Sequence, residues 1–76
     1  MTLLEAIPGI KYEIVAIIGP NRNRLSEMGF NPGCEISVCS KNSEEYRVVN
    51  CRGYKIGLRK EETHCILITE LSHVEV

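Results

Sequence analysis

An excess of charge of either sign is missing from this sequence. Nine Lys and Arg stand against ten Asp and Glu, for a formal net charge of −1. Without a basic excess, neither nucleic acid nor an anionic membrane surface is an expected partner. Long apolar runs are missing too, none approaching the ~18 residues of a membrane-spanning helix. The opening residues carry Glu5 and no Lys or Arg, which is not the pattern of a secretory signal. A cytoplasmic location is the expectation that follows. Repeats, low-complexity tracts and linker-like segments are also absent. The 76 residues therefore read as one domain, 1–76. A chain this short buries about 60% of its unfolded surface. It holds one thin core, with little room for an enclosed active site.

Two further absences bear on chemistry. No pair of cysteines has C-x-x-C spacing, so a zinc site of the usual kind is not expected. No G-x-x-x-x-G-K-[ST] phosphate loop is present either, so nucleotide hydrolysis by that route is excluded. Four cysteines are present: Cys34, Cys39, Cys51 and Cys65. With nothing pointing to secretion, they are expected as free thiols packed like small hydrophobes. His64 and Cys65 are neighbours, and neighbouring residues seldom bind one ion together. Cys34 and Cys39, five apart, fall on opposite faces of a regular strand. His64 and His73 have no nucleophile or carboxylate set around them, so no catalytic residues are assigned and no enzyme is expected.

What the sequence does contain is short elements with sharp stops. "TLLEAIPG" reads as a helical turn capped by Thr2 with Glu5 three residues on, ended by Pro8-Gly9. "IKYEIVAIIG" is a β-branched first strand. Ile14 and Ile17 both look like core there, which requires a bulge or strong bend between them. "NRNRLSEMG" is a two-turn helix over 21–28, with Asn21 or Asn23 as its cap. Leu25 and Met28 share its apolar face. Gly29 fits the left-handed position just past the helix end. Phe30, the only phenylalanine, follows it and either packs inward or offers itself to a partner. Arg22, Arg24 and Glu27 form the solvated face. Pro32-Gly33 turns the chain into the strand "CEISVCS". "KNSEE" is a polar loop. "YRVVNC" and "YKIGLR" flank Arg52-Gly53, spacing that predicts a tight hairpin. Cys39 and Cys51 are candidate cross-strand neighbours. "KEETHC" is a helical turn, Arg59 at the strand end before it is a candidate ion-pair partner for Glu61 or Glu62, and "ILITEL" is the last strand. The expected fold is all-β with short helices: a partly open five-stranded barrel with its longest helix between strands one and two.

The residues Leu4, Pro8-Gly9, Ile14, Ile17 and Gly19, then R-L-x-x-M-G-x-x-P-G over 24–33, Ile36, Val38, and G-x-x-I-G-L-R over 53–59 with Ile66, form a pattern along nearly the whole chain. This pattern resembles the FeoA family, and the same module is similar to the C-terminal domain of DtxR-type iron regulators. Thr63 departs from it, standing where the family usually has alanine, and the cysteine content is no part of the motif. The resemblance implies an SH3-like barrel. It also implies a cytosolic accessory role in bacterial ferrous iron uptake, in contact with a FeoB-type membrane transporter of Fe²⁺.

Arg24, Phe30 and Arg59 are the candidate partner-binding residues, with the helix and its flanks as the leading face. No cofactor is expected. The alternative reading is a divalent-metal sensor, in which a transition metal is held by some of Cys34, Cys39, Cys51, Cys65, His64 and His73 with carboxylates. That reading requires three or four of these groups around one point. A detached peptide-binding barrel is a third reading.

Overall fold

The computed structural model describes residues 1–40 and 46–71, and Ser40 by its backbone only. The expected 41–45 loop and His73 lie outside the described residues. Five strands carry the fold: β1 (Tyr12–Ile17), β2 (Glu35–Ser40), β3 (Tyr46–Cys51), β4 (Tyr54–Arg59) and β5 (Ile66–Glu70). A helix α1 (Arg22–Glu27) joins β1 to β2, and a single turn α2 (Lys60–Thr63) joins β4 to β5. A 3-10 turn, Leu3–Glu5, precedes them. The strands form one antiparallel sheet in the order β4-β3-β2-β1-β5. Each element falls within a residue or two of its expected place.

The join between β1 and β2 is short, with Tyr12 opposite Ile36 and Glu13 opposite Glu35. Beyond it, Ile14 donates its N–H to Cys34 O at 2.9 Å and Gly33 donates to Ile14 O at 2.8 Å. All five strands nevertheless feed one core. Tyr12, Ile14, Ile36, Val49, Leu58 and Ile66 are each at most 1% exposed. The sheet therefore wraps around its own apolar face, as a small barrel must.

The β1 bulge lies where the sequence calls for it. Register against β5 slips between Ile14 and Ala16, leaving Val15 as the extra, outward residue. One inserted residue inverts the alternation, so Ile14 and Ile17 both point inward although they are three apart. A second slip, in β2, lies between Val38 and Ser40. Cys39 is its extra residue and is exposed. The register places Cys51 opposite Ile36. The expected Cys39–Cys51 neighbourhood is thus corrected: with Ile36 opposite Cys51 and Val38 opposite Val49, Cys39 lies farther along β2, at the bulge.

Two turns show their residue requirements plainly. Arg52 and Gly53 have φ of +57° and +83°, the left-handed pair that a two-residue hairpin needs. At the end of α1, Gly29 has φ of +103°. Its N–H reaches Ser26 O at 3.0 Å, and the Phe30 N–H reaches back to Leu25 O at 3.0 Å. That is the paired bonding of a Schellman motif, which folds the residue after the glycine onto the last helical turn. The helix caps are backbone-made. Asn21 makes no side-chain cap bond, and its carbonyl accepts from Leu25 N–H. At the first turn, the Glu5 carboxylate accepts from Thr2 N–H at 2.8 Å.

Candidate functional site

Phe30 is fully buried, at 0% exposure, which settles its orientation. The Schellman turn drives the ring against Leu25 and into the core, so it does not offer itself to a partner. It forms instead the floor of a shallow groove of about 300 Å³ between α1 and β1. Ile17, Ala16 and Pro32 line the same groove, and Arg22, Asn23 and Ser26 of α1 stand along its rim. Ser26 donates its hydroxyl to the Asn31 side-chain oxygen at 2.8 Å, which fixes one end of that rim. The groove is an apolar floor with a polar edge, the build of a protein contact surface.

Arg24 is not a free solvated charge. Its guanidinium is hydrogen-bonded and ion-paired to the Glu62 carboxylate of α2, which is almost entirely buried. The other Glu62 oxygen accepts from the Arg59 backbone N–H at 2.8 Å. Glu62 thus caps its own turn and anchors α1 at once. The expected role for Arg59, an ion pair with Glu61 or Glu62, is corrected: among the described bonds Arg59 contributes its amide, and the arginine bound to Glu62 is Arg24. Thr63 beside it is fully buried, with its hydroxyl donating to Lys60 O at 2.7 Å. The polar group introduced by this departure from the family pattern is therefore satisfied.

Cys39 is exposed on the β2 bulge. Cys65, half-buried after α2, donates its thiol to Glu61 O at 3.4 Å. His64 is exposed at the end of α2. Among the described residues, no three of His, Cys, Asp and Glu gather closely enough to hold a metal ion.

Cys34 and Cys51 do come together. Their sulfurs lie 3.9 and 4.0 Å from the same Gly29 carbonyl oxygen. Cys34 precedes Ile36 by two residues, and Cys51 pairs with Ile36, so both thiols face the same side of the sheet. Arg52, in the hairpin turn, donates from Nη2 to Cys34 Sγ at 3.3 Å. That hydrogen bond holds the Cys34 thiol below its usual range; burial opposes it, while the Asn31 backbone and the Arg52 charge add to it. Burial pushes the buried Cys51 thiol up, with the neighbouring Cys34 adding to the shift. A cleft opens beside them, lined by Cys34, Arg52 and Asn50, with the ion-paired Lys11 and Glu35 (3.6 Å) also on its wall. Sequence reasoning missed this cluster because the β2 register was not legible.

A family model described as the FeoA domain matches residues 1–70. No curated protein sequence matches the chain. Among solved structures, the FeoA-like protein from Clostridium acetobutylicum is 26% identical, with a TM-score of 0.86 covering 100% of this chain and 92% of that one. The FeoA protein from Chlorobium tepidum is also 26% identical, with a TM-score of 0.85 over 99% of this chain and 74% of its own. The zinc complex of Stenotrophomonas maltophilia FeoA, described as a prokaryotic SH3 domain protein, shares the fold at a TM-score of 0.79 and 24% identity, covering 91% and 89% of the two chains. The fold is accordingly SH3-like and mostly β. No helix among the described residues is long and apolar enough to cross a membrane. A family match over residues 1–70 places the chain in the FeoA family, which is associated with ferrous iron transport.

Proposed function

We propose that this chain is a cytoplasmic accessory protein of ferrous iron uptake, acting by direct contact with a FeoB-type membrane transporter through the groove between α1 and β1. The observation that carries the reading is the FeoA-domain match over residues 1–70. The Stenotrophomonas maltophilia relative, described as a candidate activating factor for bacterial ferrous iron transport, supports the same role. The groove supports contact as the mode of action. Half-buried Ala16 and exposed Pro32 supply apolar contact area over the buried Phe30, and exposed Arg22, Asn23 and Ser26 supply an edge that a partner can pair with.

The test is co-purification of the tagged chain with the transporter from membranes, in each nucleotide state of the transporter. Arg22→Glu and Ser26→Arg, both at exposed helix positions, are expected to weaken the association with the fold intact. Lys55→Glu, exposed on β4, serves as the control and is expected to bind normally. Undiminished binding by both groove variants moves the contact elsewhere. No association of the unmutated chain in any nucleotide state refutes the role.

A further inference from the structure

We propose that Cys34 and Cys51 form a peroxide-reactive dithiol site, with Cys34 as the attacking thiolate, Arg52 as its activating donor and Cys51 as the resolving thiol. The site does not depend on the transporter contact. It lies in the cleft at the β3–β4 hairpin, and none of Cys34, Cys51 and Arg52 lines the α1 groove.

Three features meet there. First, Cys34 is half-buried on the wall of an open cleft, so a small hydroperoxide can reach it. Second, Arg52 Nη2 stands 3.3 Å from Cys34 Sγ and favours the thiolate. Third, Cys51 shares the Gly29 carbonyl with Cys34, so the two sulfurs are no farther apart than 3.9 and 4.0 Å laid end to end. The remaining charged groups on the cleft wall, Lys11 and Glu35, are paired with each other at 3.6 Å. Cys39 is the more exposed thiol but has no arginine bonded to it among the described contacts. Exposure and activation are therefore separated on two different cysteines of one chain.

The chemistry has two steps. The Cys34 thiolate attacks the outer oxygen of a hydroperoxide. An S–O bond forms and the O–O bond breaks, leaving Cys34 sulfenic acid and an alkoxide or hydroxide that takes a proton from water. The Cys51 sulfur then attacks the Cys34 sulfur. The S–S bond forms, the S–O bond breaks, and the departing hydroxide leaves as water with the Cys51 proton. Sulfur loses the electrons that the peroxide gains. A hydroperoxide is the chemical class of substrate required.

The experiment is timed exposure of the reduced full chain to hydrogen peroxide, with dimedone trapping and peptide mass spectrometry without reductant. The expected product is a Cys34–Cys51 disulfide that forms several-fold faster than any oxidation at Cys39 or Cys65. Cys51→Ser is expected to leave a dimedone-trappable sulfenic acid on Cys34. Arg52→Asn removes the donor while suiting the left-handed turn position, and is expected to slow Cys34 oxidation several-fold and raise the midpoint of its rate–pH profile. Arg52→Lys, which keeps the charge, is expected to recover part of the rate. Oxidation at Cys39 as fast as at Cys34, a different disulfide, a persistent Cys34 sulfenic acid in the unmutated chain, or an Arg52→Asn rate equal to the parent's overturns the proposal.

Discussion

Arg24 on α1 is bonded to Glu62 on α2 across 38 residues of sequence. This pair fixes the position of the groove, because α1 supplies the rim and is otherwise only six residues long. A helix that short has little stability of its own. Leu25 and Phe30 hold its inner side, and Glu62 holds its outer side.

Arg24→Ala is expected to leave the buried Glu62 carboxylate with the Arg59 amide alone. Water reaches the exposed Arg24 side of the pair and takes over part of the lost interaction, so the cost is set at about 1–3 kcal/mol. Arg24→Glu is expected to cost more, since it sets two carboxylates together. Urea unfolding midpoints of the two variants check both the size and the order.

Phe30→Ala is expected to remove roughly 3–5 kcal/mol, as truncation of a fully buried aromatic does. That is a large part of the stability of so small a domain. Thermal unfolding measures it. Lost transporter binding in this variant is expected as a consequence of unfolding, which is why the rim residues are the proper probes of contact.

Gly29→Ala and Gly57→Ala are expected to differ in sign. A Cβ at either position meets nothing within 4 Å, so sterics do not separate them. The backbone does: Gly29 sits at φ of +103°, and no positive φ is found at Gly57. Gly29→Ala is expected to destabilise by about 1–2 kcal/mol, and Gly57→Ala to stabilise by about 0.4–1 kcal/mol through the unfolded chain. Paired denaturation curves decide it.

Arg47 on β3 donates from Nη1 to Ala6 O at 2.8 Å and to Leu3 O at 3.4 Å, tying the first turn to the sheet. Arg47→Met keeps the apolar stem and removes those bonds. Hydrogen exchange at Ala6, whose N–H is bonded to Leu3 O, is expected to quicken while exchange at Val49 in the core stays unchanged.

Local chemistry was legible in the sequence; long-range pairing was not. The helix could be read from Leu25, Met28 and Gly29, and the hairpin from Arg52-Gly53, because a few adjacent residues determine each. The β1 bulge was readable because Ile14 and Ile17 break the alternation. An apolar residue directly after a helix-ending glycine, as Phe30 is, is itself a signal for inward packing. The Arg24–Glu62 pair joins two loops that only the closed barrel brings together. The Cys34–Cys51–Arg52 cluster depends on the β2 register, and the bulge at Cys39 follows no apolar pattern that could mark it.

The most direct test of the central claim is titration of the isotope-labelled chain with the detergent-solubilised transporter, followed by its amide NMR signals. The expected result is loss of signal first at Arg22, Asn23, Ser26 and Asn31 around the groove, with the Arg52-Gly53 hairpin unaffected. Signal loss confined to the hairpin, or none at any transporter concentration in either nucleotide state, contradicts the account.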